Sequence, residues 1–141
     1  MRTIEPDSPP AFATILWAED DAELREFVTE SLKKEGYRVM QFCDGAELGQ
    51  WLATHPSTDD TTVLLTDIFM PGATAFDLFE RYPVEMADFT VILFTGFGTE
   101  SLHDRAMALG AFAVIDKPFD MKQLKDTITH VLSARTAAQI L

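Results

Sequence analysis

Carboxylates that stand far apart in this chain share one local setting. Glu19, Asp20 and Asp21 follow the apolar run Phe12–Ala18, and Asp67 follows Val63–Thr66 within Leu64-Leu65-Thr66-Asp67-Ile68-Phe69-Met70-Pro71-Gly72. Thr95-Gly96 follows Thr90–Phe94, and Asp116-Lys117-Pro118-Phe119 follows Phe112–Ile115. Acids brought together from such places repel: at ~5 Å and an effective dielectric near 20, each pair costs about 3 kcal/mol. They must be protonated or bridged by a cation, and oxygen ligands without histidine or cysteine favour a hard ion, Mg²⁺ or Mn²⁺. Such an ion, one ammonium and one hydroxyl suit a phosphoryl group. A carboxylate can itself be the nucleophile, giving an aspartyl phosphate.

The elements that would gather these groups are legible from the apolar pattern. Five short runs rich in Val, Ile, Leu, Phe and Thr read as strands: Phe12–Ala18, Tyr37–Phe42, Val63–Thr66, Thr90–Phe94 and Phe112–Ile115. Four are nearly continuous, as in parallel strands covered on both faces, whereas Tyr37–Phe42 mixes in polar residues and reads as an edge. Between them the period becomes helical. Residues 21–35 carry the stripe Leu24, Phe27, Val28 and Leu32; residues 45–54 carry Leu48, Trp51 and Leu52 behind an Asp44/Glu47 capping box. Residues 100–109 carry Leu102, Ala106 and Leu109, and residues 121–133 carry Leu124, Ile128, Val131 and Leu132 behind Asp120. A short helix over 75–81 (Phe76, Leu78, Phe79) is closed early by Pro83. Strand and helix in alternation predict a doubly wound α/β fold with a five-stranded parallel sheet. The strand C-termini then share one edge, where open parallel sheets bind ligands. Asp21 reads as a helix cap and Asp44 likewise.

The chain has 141 residues, enough for one domain, with residues 1–11 expected as a mobile leader because of Pro6, Pro9 and Pro10. Eleven Lys+Arg against 23 Asp+Glu give a net charge of −12, which argues against nucleic acid and anionic membrane as partners. The one cysteine, Cys43, excludes an internal disulfide and reads as a small buried residue. His55, His103 and His130 read as surface residues, Trp17 and Trp51 as core. No signal-peptide run and no stretch near ~20 apolar residues is present, so the expected location is cytoplasmic.

In order and spacing, Ile15–Asp21, Leu65–Gly72, Phe94-Thr95-Gly96 and Lys117-Pro118-Phe119 resemble the receiver domain of two-component response regulators, over roughly residues 12–134. The resemblance implies the flavodoxin-like strand order 2-1-3-4-5. It implies that Asp67 accepts a phosphoryl group from a phosphohistidine, on a histidine kinase or histidine phosphotransfer protein. Glu19, Asp20, Asp67 and the backbone carbonyl of Phe69 would hold Mg²⁺. Lys117 would pair with the phosphoryl oxygens, Thr95 and the Gly96 amide would grip the group, and Lys117–Pro118 would be cis. The donor would dock across the helix over 21–35 and the site rim. Output would pass by protein contact around the helix over 100–109 and the last strand, with no catalysis beyond self-phosphotransfer and slow self-dephosphorylation. Residues 135–141, read as a tail or an extension of the last helix, leave no effector domain, so a stand-alone receiver is expected.

Four positions depart from that pattern. Val114 stands where a switch aromatic is usual, with Phe94 and Phe112 as nearby substitutes. Ala75 stands where glycine is frequent, and Asp116 where a small or hydroxyl residue is common. Phe69 and Phe97 stand two residues after Asp67 and Thr95, where their rings would rim the site, exclude water and prolong an aspartyl phosphate. Three alternative readings of the same acids differ in what they require. A phosphatase of the haloacid-dehalogenase type and a Toprim-type enzyme both want a second acid at the Phe69 position. A pseudo-receiver would keep the fold and bind partners without phosphorylation.

Overall fold

The computed structural model describes residues 13–54 and 62–140. Strands β1 (Thr14–Ala18), β2 (Arg38–Phe42), β3 (Thr62–Asp67), β4 (Thr90–Thr95) and β5 (Ala113–Asp116) pair in parallel in the order β2-β1-β3-β4-β5. This is the flavodoxin-like order expected above, with the partly polar β2 at an edge. Chain order reverses between β1 and β3, so the crevice at their C-terminal ends is the place where such sheets bind ligands.

The two faces are covered by separate sets of helices. Ile15, Trp17, Val63, Leu65, Ile92, Phe94 and Ile115 join one core with Val28 and Leu32 of α1 (Ala22–Lys34) and Leu124, Ile128 and Val131 of α6 (Met121–Ile140). The alternate residues, Leu16, Leu64, Val91 and Leu93, join the other. There they meet Leu48 and Leu52 of α2 (Gly45–Thr54), Phe76 and Phe79 of α3 (Ala75–Arg81), Met86 of α4 (Pro83–Ala87) and Ala106 of α5 (Glu100–Leu109). Side chains of a strand point alternately to the two faces. Each run therefore had to be apolar throughout.

Differences from the sequence expectation have local causes. β3, β4 and β5 each end one residue later, at Asp67, Thr95 and Asp116, because the backbone ladder continues past the last residue of the apolar run, and β3 also begins one residue earlier, at Thr62. Pro83 does end α3, but it also opens α4, since proline lacks only an N–H that a first turn leaves unpaired. Phe27 and Leu109, placed on apolar stripes, are exposed instead, and Trp51 is only half-buried. Cys43 is exposed rather than buried, just past the edge strand, with its thiol bonded to Glu47 and Asp44. The Glu47 hydrogen bond raises the thiol pKa, ahead of burial and neighbouring charge. The expected leader and His55 lie outside the described residues. No helix among the described residues is long and apolar enough to cross a membrane.

The loop after β3 is fixed from below. Gly72 has φ +87°, and a Cβ there would fall 2.7 Å from Ala46 Cβ. Gly45 N–H donates to Pro71 O at 3.0 Å, and Ala75 N–H to Ile68 O at 2.9 Å. Residues 68–75 are thereby tied to α2 and to the end of β3, which holds Phe69 beside the site.

Candidate phosphoryl site

The strand register places the acids together. Ala18 pairs with Thr66, so Glu19 and Asp67 emerge side by side from β1 and β3. Glu19 is held on several sides. Its N–H donates to Phe42 O at 3.1 Å, its carbonyl accepts from the Arg25 guanidinium at 2.8 Å, and its Oε2 accepts from Asp21 N–H at 3.2 Å. Asp21 itself caps α1, accepting from Glu23 and Leu24 N–H at 3.0 and 3.3 Å, so it is committed to the helix. Asp20 remains exposed on the rim. One oxygen from each of Glu19, Asp20 and Asp67 lies within 4.8 Å of the others.

Lys117 enters from β5. Its N–H donates to Thr95 O at 2.8 Å and its peptide to Pro118 is cis. The ammonium donates to Glu19 Oε1 at 2.5 Å and to Asp67 Oδ2 at 2.8 Å. Burial of Glu19 raises its pKa above the ordinary carboxylate value, the lysine offsetting only part of this. Burial opposes the charge on Lys117, but hydrogen bonds and charge from Asp67 and Glu19 together outweigh it and leave its pKa raised. The ammonium is thus fixed in its charged form between two acids.

Thr95 is fully buried at the end of β4 and accepts from Phe97 N–H at 3.0 Å. Outside it, Phe69 and Phe97 meet edge to face, ring centroids 6.0 Å apart. With Thr99 and Leu102 they line a shallow depression of about 320 Å³ beside the acids. A groove of about 650 Å³ between α2 and α3, lined among others by Gly49, Arg81 and Tyr82, contains none of these residues.

The family description response regulator receiver domain matches residues 15–129. The chain belongs to that family. It is 34% identical over 120 residues to the response regulator receiver protein CpdR of Brucella abortus (strain 2308), covering 85% of this chain and 97% of that one. It is 33% identical over 121 residues to the DNA-binding transcriptional regulator NtrC of Rhizobium meliloti (strain 1021), covering 86% of this chain but 24% of that protein. This receiver therefore spans nearly all of one relative and about a quarter of the other. The solved receiver domain of HemR from Leptospira biflexa superposes with a TM-score of 0.75 at 28% identity, over 85% of this chain and 94% of that one.

The residues read from the sequence as the phosphoryl and metal site, Glu19, Asp20, Asp67, Phe69, Thr95, Gly96 and Lys117, lie at or just past the C-terminal ends of β1, β3, β4 and β5. Lys117 bonds Glu19 and Asp67 directly and Asp20 comes within 4.8 Å of both acids, while Thr95, Gly96 and Phe69 sit on the adjoining strand ends and loops. Two contacts carried no sequence signal: the Arg25 guanidinium on the Glu19 carbonyl and the bond between His103 and Asp116 at 2.9 Å. His103 is therefore not a free surface residue. Neither proposed substitute for the switch aromatic packs on the face of the sheet that Val114 occupies. Phe94 packs on Trp17 and Phe119 on the α1/α6 face, and Phe112 lies before β5 against His130.

Proposed function

We propose that this receiver is a phosphoacceptor switch that takes a phosphoryl group on Asp67 from a phosphohistidine and signals through protein contacts. The observation that carries the reading is the setting of Asp67: nearly buried, bonded to Lys117, and within 4.8 Å of two further carboxylates. The donor set is all oxygen and doubly or triply acidic, which fits Mg²⁺ or Mn²⁺. Glu19, Asp20 and Asp67, with the Phe69 carbonyl, would hold the ion. When bound it would neutralise charge on the phosphoryl oxygens and on the acids.

Asp67 supplies the nucleophile: a carboxylate oxygen forms the O–P bond while the N–P bond to the donor imidazole breaks, its electron pair remaining on the nitrogen. Lys117, already 2.8 Å from Asp67 Oδ2, is within reach of oxygens newly attached there. The Thr95 hydroxyl accepts from Phe97 N–H and so keeps its own proton to donate to a phosphoryl oxygen. Gly96 N–H would add a second donor. Phe69 and Phe97 would shield the acyl phosphate from water. The position where a phosphatase would carry its general acid is Phe69, which supports a persistent phosphoryl group rather than turnover. A histidine kinase or histidine phosphotransfer protein would dock across α1 and the rim. A protein target would read the face of α5 and β5.

The test is incubation with a small phosphodonor and Mg²⁺, followed by mass spectrometry. An acid-stable, base-labile phosphate on Asp67, absent from Asp67→Asn, is the expected result. No label under any donor would refute the reading and leave a pseudo-receiver; steady phosphate release from varied monoesters would replace it with a phosphatase.

A further inference from the structure

Asp116 and His103 form a pair that phosphoryl chemistry does not require. Asp116 closes β5 opposite Thr95 and immediately precedes Lys117. Its Oδ1 accepts from His103 Nε2 at 2.9 Å, and His103 ends the first turn of α5. Between them runs the loop 96–99. A Cβ at Gly98 would fall 1.9 Å from Asp116 Oδ1 and 2.7 Å from its Cγ, so a side chain there would have to displace this carboxylate. The loop is otherwise tied to its two ends. Phe97 N–H donates to Thr95 Oγ1 at 3.0 Å and Thr99 N–H to Phe97 O at 2.8 Å, and Thr99 caps α5 by accepting from Leu102 N–H at 3.1 Å.

We propose that the His103–Asp116 pair is a latch: it holds the loop after Thr95 and the start of α5 in the present arrangement, and so sets how readily Thr95 moves toward a phosphoryl group. The proposal rests on the phosphoacceptor reading of Asp67. Thr95 and Lys117 would both be drawn to the new group, and each is one covalent or register step from Asp116. A shift of either would disturb the close packing of Gly98 against the Asp116 carboxylate. His103 and Asp116 are positioning residues, since neither touches the acceptor. Their side chains are 33% and 56% exposed, where such a pair contributes modestly. A modest bias is what a two-state element needs, because its equilibrium shifts by the same factor.

The experiment compares wild type, His103→Ala, Asp116→Asn, the double variant, and the swapped pair His103→Asp/Asp116→His. Two readouts are taken: amide hydrogen exchange over Gly98–His103, and the rate of Asp67 labelling by a small phosphodonor with Mg²⁺. Each single variant should raise both by about two- to fivefold. The double variant should match the singles rather than multiply them, as one shared interaction requires. The swapped pair should restore wild-type values, which a purely structural role would not produce. In addition, Gly98→Ala should destabilise wild type more than it destabilises Asp116→Ala. Unchanged exchange, multiplicative effects in the double variant, or no rescue by the swap would overturn the latch while leaving labelling of Asp67 intact. Absence of label in wild type would instead overturn the phosphoacceptor reading, and the coupling claimed here with it, whatever the exchange data show.

Discussion

Replacing Lys117 with methionine would leave Glu19 and Asp67 facing one another without their shared cation. The ammonium now lies 2.5 Å from one and 2.8 Å from the other, and their nearest metal-type oxygens lie within 4.8 Å. At that separation and an effective dielectric near 20, two negative charges repel by about 3.5 kcal/mol. Stripping one partner from a buried pair costs about 3–5 kcal/mol. The lysine side chain is 23% exposed, so water relieves part of the penalty and the expected loss sits near the lower end, about 3 kcal/mol. Methionine keeps most of the apolar stem, so packing adds little. The measurement is urea unfolding of both proteins in buffer containing a chelator. A difference under about 1 kcal/mol, the scale of an exposed ion pair, would refute the claim that Lys117 offsets this repulsion.

The same substitution has a pH signature. Burial already holds Glu19 above its ordinary value, and Lys117 is what counters that rise. A carboxylate whose folded pKa exceeds its unfolded pKa contributes stability that is complete below the unfolded value and is lost as pH rises through the folded one. Lys117→Met should therefore regain stability as pH falls from neutrality toward about 4.3, the unfolded range for glutamate, and by more than wild type does. Mg²⁺ should also stabilise the variant more than wild type, since no ammonium then occupies the acids.

Phe69→Asn should shorten the life of labelled Asp67 by removing half of the aromatic pair at the rim; equal decay rates in the two proteins would reject the shielding role. Phe94→Ala should cost about 3–5 kcal/mol in chemical unfolding, because the buried ring contacts both Trp17 and Phe119 and links β4 to β1 and the start of α6. Asp77 lies in a reciprocal cap with Thr74, and the Thr74 backbone N–H holds its pKa below the usual value. Its contribution is present above the unfolded pKa and lost as pH falls through the folded one, so Asp77→Asn should be less stable than wild type at neutral pH. That gap should narrow on acidification through and below the usual aspartate range, as followed by urea titrations at several pH values.

What could be read from the sequence depended on whether the cause was local. Continuous apolar runs sufficed for β1, β3 and β4, and polar admixture in Arg38–Phe42 identified the edge. The acids were legible as a group because a parallel sheet brings all strand ends to one side whatever the loop lengths between them. Other features depend on contacts distant in sequence. Phe27 fits the α1 stripe by spacing, yet the α6-facing part of that helix is filled by Val28 and Leu32. Cys43 is apolar by composition but stands exposed past an edge strand, its thiol bonded to Glu47 and Asp44. The His103–Asp116 bond requires knowing how α5 lies over the end of β5, which no periodicity encodes. α4 was hidden because proline is both a stop and a start signal, and only packing of Met86 decides between them.

Val114 bears on how a change at Asp67 would reach the outer face. The usual aromatic at this position can swing with a threonine hydroxyl, whereas the two methyls of valine turn only about χ1. Val114 pairs with Leu93 and packs into the core beneath α2, α3 and α5. The Phe94 ring is engaged on the opposite face, and Phe112 lies outside the strand. Neither of these two rings therefore shares the face on which Val114 packs. What adjoins Thr95 is main chain: Lys117 N–H on its carbonyl, Phe97 N–H on its hydroxyl, and Gly98 three residues on beneath Asp116. A displacement of Thr95 must then pass first into the loop backbone and only afterwards into α5. That route has fewer freely rotating torsions than a side-chain relay, so a carboxylate wedged against Gly98 has more purchase on it than it would on a swinging ring.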